Sequence, residues 1–346
     1  MQLRLCCIVT LAAVMVTGMA GAAPLMYMGV HPQHSDKPKD HSDLAAIALF
    51  DVVTQVGTDG LTHNYLTIQL VNASATPCRD DLDILMSMFF ALKSYEDKGV
   101  TTGSGYPVLT PVSAILAPAN PDLADDVFAM WEGTQYEPQA TAASALLRQD
   151  SVLKMWDKDA GSNGAVVASA PADLNDKWGF ASGLTGVNAL DYFPSTPTPY
   201  YAISCSSLEG EFDKLGKRFD DGSFGHLTGD AGHGLLSDGT VIDKDFTSAA
   251  LKDWFVVGSM LFTFQLPDDY ILDLENDIVL ENEQDEYGNP TRSSVWFAYR
   301  QTLNGDKNDP VIRGQDVGYV PDSRIPEPMT MSLLVLGGLA MLRRRK

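Results

Sequence analysis

The chain has 346 residues, with 45 acidic against 24 basic side chains, 45% hydrophobic content and a formal charge of −21. That is enough apolar material for a buried core, and the length admits one or two domains. A strongly acidic chain cannot replace the counterions of a nucleic acid and repels anionic lipid, so nucleic-acid binding is excluded as a function class.

The first element is a leader. Residues 1–22 carry one charge, Arg4, then the apolar run Ile8 to Val16, then small residues ending in Ala20-Gly21-Ala22. This order describes a secretory signal peptide, too short to span a bilayer, with Ala20 and Ala22 fitting a signal peptidase and cleavage expected after Ala22. Cys6 and Cys7 precede the apolar run and leave with the leader. The remaining body, 23–322, holds nearly all the carboxylates, and the leader predicts that the chain is exported.

Strand signals dominate that body. Leu66, Ile68 and Leu70 alternate with Thr67 and Gln69 between Asp59-Gly60 and Asn72, the pattern of a half-buried strand. Leu82 to Leu92 has apolar residues at every even position and is read as a strand, although a helical stripe fits several of the same positions. Val108 to Leu116 reads as an edge strand, because Pro111 cannot donate to a ladder. Asp122 to Trp156 is rich in Ala, Leu and Gln, with Pro138 near a start, and predicts a helical insertion near 122–156. Pro194 to Pro199 is a loop, Phe255 to Leu266 is one apolar run ended by Pro267, and Val295 to Arg300 is a further strand. The expected fold is mainly β: a large antiparallel β-sandwich with one helical insertion, flanked by an N-terminal signal helix and a short C-terminal transmembrane helix.

Several residues suggest chemistry without completing a motif. Cys78 and Cys205 are the thiols left after leader removal, and an oxidising compartment allows them to close as a disulfide; two separately buried thiols are the other reading. A bridge would stabilise by about 4 kcal/mol in the chain-entropy model. Asp157, Asp159 and Asn163 stand at alternate positions like oxygen ligands in the first half of a calcium loop, but Ser162 and Ala168 occupy the places where an EF-hand needs Gly and Glu. Calcium and simple solvated turns both fit them. His31, His34 and His41 crowd the new N-terminus, and His226 and His233 lie among glycines, with no HExxH spacing. Neither a nucleophile elbow nor a phosphate-cradling loop occurs. Tryptophans 131, 156, 178, 254 and 296 are either a sugar-stacking platform or core aromatics.

The last segment, 323–346, orders three signals. Pro326-Glu327-Pro328 holds the chain extended and accessible, the fourteen residues Met329 to Leu342 carry no charge, and Arg343, Arg344, Arg345 and Lys346 follow. A fourteen-residue helix rises about 21 Å against a hydrocarbon core of roughly 30 Å, so the span is a weak anchor that its terminal cations orient, keeping themselves cytoplasmic.

These residues resemble the PEP-CTERM sorting signal of Gram-negative and related bacteria. The resemblance implies recognition by an exosortase, a membrane-embedded cysteine transpeptidase, at Pro326, Glu327 and Pro328. It further implies a temporary membrane hold through the C-terminal helix, and a destination at the cell surface or in an extracellular matrix, often beside exopolysaccharide. Leu109–Ser113, Lys177–Ala181, Tyr201–Cys205, Arg218–Asp220 and Ser259–Phe264 are similar to the β-rich body of PEP-CTERM surface proteins, which carries no catalytic residue across. The expected role is therefore structural or adhesive and non-enzymatic. The contrasting reading is a secreted carbohydrate-active enzyme or carbohydrate-binding protein, which two carboxylates about 5 to 10 Å apart in an aromatic-lined cleft would favour.

Overall fold

The alternation at Leu66, Ile68 and Leu70 builds β3 (Thr62–Asn72), with all three side chains buried and Thr67 and Gln69 half-buried between them. β3 pairs with β2 (Ala45–Val56) in unbroken antiparallel register from Ala46↔Asn72 to Val56↔Thr62. A turn closed by Gly57 N–H donating to Leu61 O at 2.7 Å joins the two strands. The computed structural model describes residues 24–30, 44–57, 59–78, 83–101, 103–155, 166–168, 174–184, 200–205, 216–219, 233–242, 254–278, 283–284, 290–291, 295–299 and 311–319.

The described residues are mainly β. Before the helices the chain forms β1 (Leu25–Val30), β2, β3, β4 (Leu85–Phe90) and β5 (Thr110–Leu116). Two helices follow, α1 (Pro121–Trp131) and α2 (Glu137–Leu147). Next come β6 (Val152–Met155), β7 (Val166–Ala168), β8 (Gly179–Leu184), β9 (Tyr200–Ser204), β10 (Gly216–Arg218) and β11 (Leu235–Leu236). The last elements are β12 (Trp254–Val257), β13 (Ser259–Gln265), the short helix α3 (Leu274–Asp277), β14 (Glu283–Gln284), β15 (Pro290–Thr291), β16 (Trp296–Tyr299) and β17 (Val311–Tyr319).

One ladder runs β5-β13-β3-β2-β1-β17, and β17 carries it onward into β16-β4. β17 divides its partners: Val311 to Arg313 pair with β16, while Gly314 to Tyr319 pair with β1. Beyond β4 the ladder forks, through β9 to β8 and β10, and through β11 to β12, β6 and β7. The pairings are antiparallel except β11 with β12, which is parallel. The two halves meet through aromatic rings. Tyr27 and Phe50 of the first half reach Phe90 of the second, at 5.3 and 5.6 Å between successive centroids. Phe90 stacks on Tyr201 at 5.2 Å, Tyr201 faces Phe180 at 6.0 Å, and Phe180 returns to Phe264 of β13 at 4.7 Å. Phe219 and Phe262 continue the row to Trp178, whose ring lies 5.0 Å from Phe262. These rings fill the core with edge-on, tilted and stacked aromatic pairs.

Two sequence expectations change. The apolar run Phe255 to Leu266 is two strands, because the chain turns at Gly258 (φ 121°) from the β6 ladder into the β3 ladder. The helical stretch is shorter than 122–156: it ends at Leu147, and Val152 to Met155 pair with β12 from Val257↔Val152 to Trp254↔Met155. Val152 is β-branched and sits opposite a β-branched partner, a pairing that a strand favours over a helix turn. Within the helical part, Asn120 caps α1 by accepting from Leu123 N–H at 3.2 Å, and Pro138 lies in the first turn of α2 as its position predicted. Of the two readings left open for Cys78 and Cys205, the structure has the separately buried thiols: both are free, the first against Ser237 and the second against the Met86 carbonyl.

β5 is an edge strand, and Pro111 sits at its bulge, leaving Val112 unpaired between Ser113↔Thr263 and Pro111↔Phe264. Its outer side is covered at Ala114, whose N–H donates to Asn175 Oδ1 at 2.6 Å and whose carbonyl accepts from Leu174 N–H at 2.8 Å. A covered, proline-bearing edge resists pairing with another chain.

Candidate functional site

The residues singled out for sorting and calcium fall outside the described residues: Pro326, Glu327, Pro328, the cluster Arg343 to Lys346, and Asp157, Asp159 and Asn163. So do the leader and the loop Pro194 to Pro199. Among the described residues no group of three or more His, Cys, Asp or Glu is placed to hold a metal ion, and no helix is long and apolar enough to cross a membrane.

What the fold does assemble is a cluster of ionisable groups where three segments meet: the β2–β3 turn, the β4–β5 connection and the stretch between β13 and α3. The first part centres on His63. Its Nε2 lies 2.9 Å from Asp59 Oδ2 and its Nδ1 2.8 Å from Asp268 Oδ1. Ionised carboxylates on both nitrogens favour the imidazolium, in which both nitrogens donate, and clasp the ring between the hairpin turn and the end of β13. The Asp268 contact, then the Asp59 contact, raise the imidazole above its ordinary value of 6.5. Asp59 is held below the usual carboxylate range of 3.8, first by Leu61 N–H and then by His63.

The second part joins the 92–106 connection to the β13–α3 stretch. Tyr95 donates to Asp269 Oδ1 at 2.8 Å, Tyr270 donates to the Lys93 carbonyl at 2.9 Å, and the two rings meet edge-on at 5.3 Å. Burial, and then the Asp269 carboxylate, push the Tyr95 phenol up to about 12. Glu96 accepts Gly105 N–H on both oxygens, at 2.8 and 3.0 Å, which lowers its carboxyl and folds the connection back on itself. Gly103 lies against the Tyr95 ring, where a Cβ would come within 2.4 Å, so the connection needs a glycine there. Lys98 pairs with Asp277, and Asp273 caps α3 by accepting Glu275 N–H at 3.1 Å.

No family model, no curated protein and no solved structure matches this chain. Chemistry therefore has to be read from the groups themselves. Both thiols are buried, and burial raises each above the ordinary value of 9.0, so neither is a nucleophile at neutral pH. Trp178 and Trp296 are buried, Trp131 and Trp254 pack half-buried on the core, and Trp156 lies outside the described residues. The described tryptophans are thus core aromatics and form no exposed stacking platform. The tyrosines among the carboxylates, Tyr95 and Tyr270, are buried as well. The cluster joins loops and leaves no ring face open to a sugar.

The residues of this cluster were not singled out from the sequence. The available signal was Pro267-Asp268-Asp269-Tyr270, an acidic turn placed directly after an apolar run.

The clasp gives a signed pH prediction. Because the folded imidazole value lies above 6.5, its stabilisation is fully present below pH 6.5 and is lost as pH rises through the raised value. At the acid end it is lost as pH falls through the depressed Asp59 value, below 3.8. Melting curves of the protein and of His63→Gln should therefore differ most between these limits and converge in alkaline buffer. A difference that is constant from pH 5 to pH 9 would show that His63 acts only by packing.

Proposed function

We propose that this chain is an exported cell-surface or extracellular-matrix protein, sorted and processed by an exosortase through Pro326, Glu327 and Pro328. In this reading its β-sandwich body plays a structural or adhesive role and catalyses nothing. The observation that carries it is the fixed order at the C-terminus: a proline-flanked glutamate, a fourteen-residue uncharged segment and four cations. The leader at residues 1–22 supports export by signal peptidase, and the acidic body supports life in a hydrated matrix beside exopolysaccharide. A protected sheet edge, an interior filled with aromatic rings and loops tied by ion pairs suit a protein that must persist outside the cell without chaperones.

The tail acts as a processing signal and not as a lasting anchor. Its span is about a third shorter than the bilayer core, and that mismatch makes a poor permanent membrane helix. Replacing Pro326, Glu327 and Pro328 together with Ala should leave export through the leader intact and trap a full-length precursor in the inner membrane. Fractionation with intact-mass analysis reads both effects. Recovery of the triple variant at the surface with the same shortened mass as the parent would show that the motif is not read.

A further inference from the structure

Lys98 and Asp277 stand apart from the other ion pairs of the described residues because both side chains are shielded, at 13% and 5% exposure. Lys98 ends a turn in which its own N–H donates to the Ser94 carbonyl at 3.2 Å. Asp277 ends α3, and its backbone carbonyl accepts Lys93 N–H at 2.8 Å, which fixes it beside the turn. The Lys98 Nζ contacts Asp277 Oδ2, donates to the Ile271 carbonyl at 2.7 Å and sits 4.8 Å over the centre of the Tyr270 ring. Asp273 N–H donates to the same Asp277 oxygen at 2.7 Å.

We propose that Lys98 and Asp277 condense into an intramolecular amide, a covalent cross-link between the β4–β5 connection and helix α3. Proton transfer from the ammonium to the carboxylate, in a site shielded from water, gives a neutral amine and a neutral acid. The Nζ lone pair attacks Cγ, and the Asp273 N–H stabilises the oxygen that takes up charge. The C–O bond to the other carboxyl oxygen breaks, and that oxygen leaves as water with the acid proton and one amine proton. No oxidant, reductant or cofactor is needed. The nucleophile and electrophile are held together by the fold, which replaces a bimolecular encounter with an intramolecular one, and exclusion of water opposes the reverse hydrolysis.

The surroundings match the product. A secondary amide has one N–H, and the Ile271 carbonyl is in place to accept it; it has one carbonyl oxygen, and Asp273 N–H is in place to donate to it. Each polar group of the cross-link thus has a partner beside it. With Cys78 and Cys205 free, such a bond would be a covalent tie among the described residues where no disulfide supplies one. The inference rests on this pair alone and is independent of how the chain is sorted.

The test is mass spectrometry of the purified full-length protein. The cross-linked chain is one water lighter than its sequence after allowance for any terminal cleavage, and tryptic digestion yields a branched peptide containing both residues, uncut at Lys98. Lys98→Arg keeps the cation but has no acylable amine, and its mass should be that of the uncondensed chain. A linear tryptic cleavage at Lys98 in the parent protein would overturn the proposal, as would a water loss that maps elsewhere. Because the parent digest decides on its own, failure of the variant to fold would leave the test complete.

Discussion

Gly258→Ala is expected to lower the free energy of unfolding by on the order of 3 to 5 kcal/mol, combining a strained backbone with overpacking. Gly258 has φ 121°, a region that a side chain rarely adopts, and it is the single residue between Val257, paired with Val152, and Ser259, paired with Val71. A Cβ there would lie 2.4 Å from Ser151 Oγ, 2.7 Å from its Cβ and 2.8 Å from its Cα. The hydroxyl is itself in use, accepting Ser259 N–H at 2.8 Å. Ser151→Ala should therefore fail to rescue the variant, because two of the three close atoms remain and a backbone donor loses its partner. Gly99→Ala is the comparison. It has φ 69° but nothing within 4 Å of the added Cβ, so it carries the conformational cost alone, about 1 kcal/mol. Urea midpoints of the two variants separate these contributions; equal midpoints would mean that the chain bends freely at Gly258.

The contrast between Gly258 and β3 shows which parts of the fold the sequence makes readable. β3 announces itself because one face is buried and the other half-exposed, which imposes a period of two on Leu66, Ile68 and Leu70. β1 and the first half of β2 are buried on both faces, so Leu25 to Met28 and Ala45 to Phe50 carry no period and read as unmarked apolar chain. The break at Gly258 is hidden for the same reason: apolar residues on both sides are buried in two different ladders. Pro111, by contrast, marks its edge strand directly, since its missing N–H forbids a central position. The sorting segment is legible without any fold, because its information is linear. The loop cluster is not, because Tyr95 and Asp269 are 174 positions apart and His63 and Asp268 are 205 apart. Asp59 and His63, four apart, would suggest a helical pair if read by spacing, whereas a turn containing Gly60 at φ 80° brings them together.

Asn72→Ala is expected to cost on the order of 3 to 5 kcal/mol, because it strips partners from several buried groups at once. The residue ends β3, where the sequence marks only a turn, yet it is fully buried. Its Nδ2 donates to the carbonyls of Asp83 and Leu235, each at 3.0 Å, and so ties the end of β3 to the entries of β4 and β11. Its Oδ1 accepts from Ser74 N–H at 3.2 Å and from Ser74 Oγ at 2.7 Å, and the same hydroxyl oxygen accepts Ala45 N–H at 3.1 Å. Removing the amide takes a partner from two carbonyls, the Ser74 N–H and the Ser74 hydroxyl in a dry interior, and each such loss costs about 1 to 3 kcal/mol before relaxation. Asn72→Asp distinguishes the amide's donors from its shape. The introduced carboxyl keeps an acceptor for Ser74 but, once ionised, faces two carbonyl oxygens with no proton to offer. Burial and that repulsion raise its folded pKa above the unfolded value, so the variant is most stable in acid and loses stability as pH rises through the raised value. Thermal melts across the acid range should show the Asp variant approaching the parent at low pH and falling towards the Ala variant near neutrality. A parallel pair of curves for the Asp variant and the parent would mean that Nδ2 does not hold the two carbonyls.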